Sequence, residues 1–254
     1  MVRIAYCLYG QPRNFTEGSK NIKKFVEKHD VDFYYHTWTL PNENTYYSHS
    51  EWRNIPKEDL KGDKDIITKI NSVYNPKAYL FEEAKIFDME TNSDFVNSLA
   101  YSNTDKMNKG IKLSHTLSHI YSKQQVRNLL YNTIQKEKIE YDFVISSRFD
   151  FLKEINLDID LNNIDNQKIY VSNILKPRAL FFDGIVLSSV ENYFKIFNIY
   201  DNLDNLINNK ALDTLISNYN DKLVLVSEGL MFANYLYYFK DIQTLKYVNF
   251  PNFI

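Results

Sequence analysis

The chain has 254 residues, enough for one large α/β domain and short for two independent ones. Its 30 Lys and Arg stand against 32 Asp and Glu, and a formal net charge of -2 offers no broad positive field for a polynucleotide. A mean hydropathy of -0.43 without any long apolar run excludes a helical membrane span, and a start that passes directly into a strand pattern predicts no secretion signal and a cytoplasmic protein.

Residues 3–9 are apolar on both faces and run into Gly10-Gln11-Pro12-Arg13, the pattern of a buried parallel strand that stops at a functional turn. Cys7, the lone cysteine, lies inside that run and is expected to be a buried small hydrophobe. A helix over 17–29, with Ile22, Phe25 and Val26 on one face, leads to a strand over 31–35 that closes at His36-Thr37-Trp38. This is a βαβ opening, and such units bring the loops that follow their strands to one rim, so residues 9–13 and 36–38 are expected side by side. Residues 39–64 are polar, contain Pro41, Pro56 and Gly62, and read as a long excursion over that rim. A short helix over 65–74 and a strand over 78–81 follow, and the weakly patterned 90–109 reads as a flap.

The strongest helical period covers 111–137, where Leu117, Ile120, Tyr121, Leu129, Leu130 and Ile134 repeat at three- and four-residue spacing. It delivers the chain to an apolar strand over 141–150 that acquires charge abruptly at its end. Strands over 168–173 and 180–187, helices over 190–207 and 228–239, and a strand over 245–250 complete the alternation. The pattern predicts one α/β domain over 1–254, a mainly parallel sheet flanked by helices.

Arg148 and Asp150 close the 141–150 strand two residues apart, so guanidinium and carboxylate project to one side. A hard divalent cation takes a carboxylate oxygen, and a diphosphate takes both cation and guanidinium; the same two residues equally suit an ion pair at a strand end. Asp183 is a carboxylate inside an apolar run, where a buried acid must be paired or functional. Glu228 follows Ser227 at the start of a helix, placed either to balance the helix dipole or to take a proton from an acceptor hydroxyl. Lys123, on the long helix beside Gln124, either neutralises a phosphate or lies on a solvated face. His115 and His119 stand four apart on that helix, but no acidic or Cys partner sits at the spacing a zinc site needs.

Tyr9-Gly10-Gln11-Pro12-Arg13-Asn14-Phe15, His36-Thr37-Trp38, Tyr121-Ser122, the strand from Tyr141 to Arg148-Phe149-Asp150, and Phe182-Asp183-Gly184-Ile185 with Ser188 resemble glycosyltransferases carried by giant viruses, phages and some bacteria, over residues 3–240. That resemblance implies a GT-A-like, Rossmann-type fold, Mn²⁺ or Mg²⁺ as cofactor, a nucleotide diphosphate-sugar donor with UDP-sugars favoured, and a glycan or protein acceptor. A viral member would act in the host cytoplasm. It also implies that Tyr9, Gly10, Gln11 and Arg13 lie along the nucleotide with His36 and Trp38 beside the base, that Lys123 and Arg148 assist at the phosphates, and that Asp183 faces donor sugar or acceptor; taken alone, Arg13 equally suits an exposed turn and Trp38 a ring buried in the core. Asp183 and Glu228 are therefore the candidate catalytic acids. Where the family carries Asp-x-Asp, this chain has Arg148-Phe149-Asp150, so Asp150 alone matches as a metal ligand, and no histidine follows His119 to complete such a site. A nucleotide-sugar hydrolase, a nucleotidyltransferase or a non-catalytic nucleotide-sugar-binding protein would use the same rim.

Overall fold

Arg3–Gly10 form the first strand, β1, and every residue after Arg3 in it is buried. Its apolar run does not alternate because both faces of the strand are covered. Ala5, Cys7 and Tyr9 pack into one helical layer, while Ile4, Tyr6 and Leu8 pack into the other. Cys7 is buried as expected, and burial pushes its thiol up to about 12.

The computed structural model describes residues 1–40, 42, 45, 61–85, 87, 113–150, 159–173, 181–208 and 226–249. Most of the expected rim excursion and the whole of the expected flap lie outside the described residues. After β1 come α1 (Phe15–Val26), β2 (Asp30–Thr39), α2 (Ile66–Tyr74) and β3 (Ala78–Glu83), then α3 (Leu113–Glu137), β4 (Phe143–Arg148), β5 (Ile169–Ser172) and β6 (Ile185–Ser188). The last elements are α4 (Val190–Ile196), α5 (Leu203–Asn208), α6 (Ser227–Phe239) and β7 (Leu245–Val248). Among the described residues no helix is long and apolar enough to cross a membrane.

The strands form one sheet in the order β3-β2-β1-β4-β6-β5-β7. Helices α1 and α2 cover the face carrying Ile4, Tyr6 and Leu8, and α3, α4 and α6 cover the opposite face. Every described pairing is parallel except those of β6, which runs against both β4 and β5. The expected α/β class with a mainly parallel sheet is therefore what the chain adopts. The one reversal decides where the site forms. Ile185 at the start of β6 lies opposite Ser147 near the end of β4, so the turn entering β6 reaches the rim where the parallel strands finish.

Two expected boundaries shift for identifiable reasons. The strand expected over 180–187 begins only at Ile185, since Asp183 and Gly184 form a turn ahead of it. The helix expected over 190–207 divides into α4 and α5. Gln124 of α3 holds the intervening turn, accepting from the Tyr200 N–H at 3.2 Å and donating to Asn198 and Asp201.

Candidate active site

β1 ends at Gly10 with φ of +94°, a torsion that disfavours any residue with a Cβ. The Gly10 N–H donates to Ser122 Oγ at 2.8 Å, and its carbonyl accepts from Thr37 Oγ1 at 2.9 Å. Among the described residues a Cβ built here would meet no atom within 4 Å, so torsion rather than crowding by them selects glycine. Ser122 Oγ also stands 2.8 Å from His36 Nδ1, and His36 Nε2 stands 3.2 Å from Glu82 Oε1. With Glu82 ionised, Nε2 carries the ring proton, Nδ1 accepts from Ser122, and Ser122 accepts from Gly10. Burial lowers the His36 pKa to about 4 against the opposing pull of Glu82, so the ring is neutral near pH 7.

His36 is 0 % exposed and Trp38 is 3 % exposed. The indole stacks on Tyr121 with ring centroids 5.8 Å apart and meets Phe87 edge-on, while Lys85 Nζ lies 4.4 Å from the centroid of the Tyr121 ring. Both rings are enclosed by their neighbours, so Trp38 takes its place as a buried core ring and His36 is held by Ser122 and Glu82.

A second constellation gathers on the same face of the sheet. Lys123 is wholly buried and donates to an Asp183 carboxylate oxygen and, at 2.6 Å, to Ser227 Oγ. Ser227 in turn donates to the same Asp183 oxygen, and the Tyr9 hydroxyl donates to the Asp183 carbonyl. His119 packs against the Tyr9 ring with centroids 5.3 Å apart and brings Nδ1 to 4.0 Å from the carboxylate. His115, by contrast, is exposed. Lys123 is thus not on a solvated face, and it and the Asp183 carboxylate are paired with each other and with Ser227. Tyr9 is equally enclosed, 0 % exposed, so its role along a nucleotide narrows to fixing Asp183.

Burial acts to raise the Asp183 pKa, but the Lys123 ammonium outweighs it and holds the carboxyl well below the usual carboxylate range. Glu228 behaves in the opposite sense. It sits partly buried in the first turn of α6, and burial followed by the Asp183 charge raises its carboxyl to about 7. Ser227 does not cap α6, whose N-cap is Val226; its hydroxyl serves Asp183 instead. Two neighbouring carboxyls with pKa values driven apart are the usual mark of divided acid-base labour.

At the end of β4, Arg148 Nη2 donates to Asp150 Oδ2 at 2.6 Å, and Arg13 Nη2 reaches the same oxygen at 3.3 Å. The Asp150 side chain is 4 % exposed, those of Arg13 and Arg148 are 12 % and 21 % exposed. Arg148 pairs in register with Tyr9 of β1, which sets this cluster next to the Gly10 turn; Gln11, partly buried, continues that turn.

No protein-family model and no curated protein matches the chain. Solved structures do match it. The apo-form glycosyltransferase GlyE of Streptococcus pneumoniae TIGR4 is 10 % identical with a TM-score of 0.36, over 97 % of this chain and 45 % of that one. The galactosyltransferase LgtC, solved in complex with donor and acceptor sugar analogs, is 9 % identical with a TM-score of 0.40, over 96 % of this chain and 72 % of that one. The chain spans under half the length of GlyE. These are similarities of chain path at low identity, and the case for function rests on the side chains.

The divalent ion expected at Asp150 does not fit these residues. One Asp150 oxygen already faces two guanidinium groups, and among the described residues no group of three or more His, Cys, Asp or Glu side chains gathers to hold a metal. Mg²⁺ and Ca²⁺ ask for about six oxygen ligands. At an effective dielectric of about 20, a unit charge about 4 Å from a guanidinium is repelled by about 4 kcal/mol, and a divalent ion doubles that against each of the two.

Ser122, Ser227, His119 and Glu82 were not among the expected site residues, yet they hold Gly10, Asp183 and His36 in place. Ser122 lies in one of the resembling motifs without a role attached, and a serine on an amphipathic helix gives no sign of facing inward.

Proposed function

We propose that the chain is a glycosyltransferase that moves a sugar from a nucleotide diphosphate-sugar, a UDP-sugar by preference, to a hydroxyl of a glycan or protein in the cytoplasm, akin to the enzymes of giant viruses, phages and some bacteria. The observation that carries this reading is the opposed carboxyl pair at the carboxyl rim of the sheet, Asp183 held ionised and Glu228 held near 7, with the Arg148 guanidinium at the end of β4 and that of Arg13 from the turn after β1 beside it. Open α/β sheets bind ligands at that rim, and the missing Cβ of Gly10 favours close approach of a nucleotide to the backbone.

In the reaction the bond between the anomeric carbon and the diphosphate oxygen breaks, and its electron pair leaves with the phosphate. The acceptor oxygen forms the new bond to that carbon and gives its proton to Glu228, which is part ionised near neutral pH. Arg13 and Arg148 face the charge that grows on the departing diphosphate. Asp183 is a positioning residue, since its fixed charge raises Glu228.

The test is release of nucleoside diphosphate from a panel of nucleotide sugars, with and without oligosaccharide acceptors. Acceptor-dependent release is expected, and Glu228→Gln should lower it by about 10²–10⁴-fold while nucleotide binding persists. Release at full rate without acceptor would make the protein a hydrolase, and binding without release would make it a carrier.

A further inference from the structure

Resting on the glycosyl-transfer reading, which puts the nucleotide at the Gly10 turn, the hydrogen bonds behind that turn carry a further assignment. We propose that Glu82, on the edge strand β3, is a positioning residue for the donor: by selecting the tautomer of His36 it sets the direction of a hydrogen-bond chain through Ser122 to Gly10, and so holds the turn in the shape the nucleotide meets.

Strand β3 alternates, with Tyr79, Phe81 and Glu83 exposed and Ala78, Leu80 and Glu82 on the covered side. A third apolar residue is what that alternation asks for at 82, and the chain places a carboxylate there instead. Both of its oxygens are fixed. Tyr121 donates to Oε1 at 2.9 Å and Lys85 donates to Oε2 at 2.8 Å. Burial acts to raise the carboxyl, but Lys85, Tyr121 and His36 together hold it below its ordinary 4.5, so it is ionised near pH 7. In the register of the sheet Glu82 lies beside Trp38, and its side chain runs back to the ring two residues earlier on β2, reaching His36 Nε2 at 3.2 Å.

The buried His36 ring is neutral near pH 7, so one of its nitrogens is bare. A carboxylate at Nε2 keeps the proton there and leaves Nδ1 to accept from Ser122 Oγ at 2.8 Å. Having given its single hydrogen to the ring, the Ser122 hydroxyl turns a lone pair to the Gly10 N–H at 2.8 Å. With the proton on Nδ1 instead, a lone pair on Nε2 would face the carboxylate, and the Ser122 hydrogen would be left to the His36 carbonyl, 3.5 Å away. That bond is long and weak. The selection is therefore made on β3 and delivered across β2 to the end of β1. Thr37 Oγ1 completes it by donating to the Gly10 carbonyl, so the turn at φ of +94° is held at amide and carbonyl alike.

The full chain labelled with ¹⁵N-histidine reports the tautomer by NMR, and of the five histidines His36 is the one whose signals vanish in His36→Gln. In the wild-type protein Nε2 is expected to be protonated and Nδ1 bare. Glu82→Leu should move the ring toward the Nδ1–H form and weaken UDP binding, read by calorimetry, by about tenfold, the size expected for losing a hydrogen bond to a charged group. Glu82→Gln keeps an acceptor at Nε2 and is expected to keep the tautomer, with UDP affinity within about twofold of wild type. A carboxylate that only stabilised the edge strand would lower Tm in both variants and leave tautomer and affinity where they were. A wild-type ring protonated at Nδ1 would overturn the inference without any variant having to fold. So would an unchanged tautomer or full UDP affinity in Glu82→Leu, or a loss of affinity in Glu82→Gln with the tautomer kept. Each of these leaves the glycosyltransferase reading standing. If neither UDP nor GDP binds the wild-type protein, that reading falls and the inference with it.

Discussion

Lys123 and Asp183 meet as a fully enclosed ion pair, one from the middle of α3 and the other from the turn that enters β6. Neither charge has water to fall back on, so each is tolerable only in the presence of its partner.

Removing one partner therefore strands the other. Lys123→Met is expected to lower stability by about 3–5 kcal/mol, read as a drop in the denaturation midpoint, and adding Asp183→Asn should recover much of it. The Asp183 carboxyl titrates below its ordinary value of 3.8, so its contribution is present above that pH and is lost as pH falls toward about 2. An unchanged midpoint in Lys123→Met, with loss of nucleotide affinity alone, would return Lys123 to a phosphate-binding role.

Glu228 should show activity and stability moving in opposite directions. As the base it must be ionised, so kcat is expected to fall below pH 7 along a limb with a pKa near 7. Its folded pKa lies above its ordinary 4.5, so the folded state holds the extra proton between those values, and stability declines as pH rises from 4.5 through 7. Glu228→Gln should thus lower activity by the same about 10²–10⁴-fold yet raise Tm at pH 8 by roughly 2–4 °C, what about 1 kcal/mol is worth in a domain of this size. A lower Tm at pH 8 would show that the carboxylate is stabilised rather than strained.

The Gly10 turn is testable from two sides. Gly10→Ala places a Cβ clear of every described residue but at φ of +94°, and is expected to cost about 1–2 kcal/mol from torsion. Ser122→Ala leaves the Gly10 N–H and His36 Nδ1 without their shared partner, at about 1–3 kcal/mol for each buried group. Both variants should also raise KM for the donor. A KM left unchanged in both would separate the turn from the nucleotide.

His36 predicts an acid transition. Its folded pKa of about 4 lies below the ordinary 6.5, so the unfolded chain takes up a proton first and stability is lost as pH falls from 6.5 toward 4. His36→Gln should flatten the Tm profile across that window at the expense of stability at pH 7. A profile with the wild-type slope would mean that other groups govern it.

The sequence made the layers plain and the site only in part. Strands β1 and β4 declare themselves through unbroken apolar runs that end in charge, and α3 through its period, because burial on a whole face imposes a repeat on neighbouring residues. Arg148 and Asp150 do meet, although the strand expected over 141–150 stops at Arg148 and a bend at Phe149 brings the carboxylate back to the guanidinium. What the strand could not reveal was Arg13 arriving from the turn after β1 to claim the same oxygen. Lys123 was illegible for a similar reason. Ser122, Lys123 and Gln124 look like a solvated stretch, yet all three are buried, each satisfied by a partner far along the chain. Periodicity reports how much of a helix is covered, and says nothing of distant polar partners.

The backward course of β6 has a consequence for how the site can change. Its entry turn contributes Asp183, and the pairing of Ile185 with Ser147 fixes how far that turn advances beyond the sheet. Sliding β6 by two residues would keep every side chain on its own face and still carry the carboxyl about 7 Å away from Lys123. The hydrogen-bond ladder between β4 and β6 is in that sense a ruler, and insertions or deletions that shift it should silence the protein while leaving its core intact.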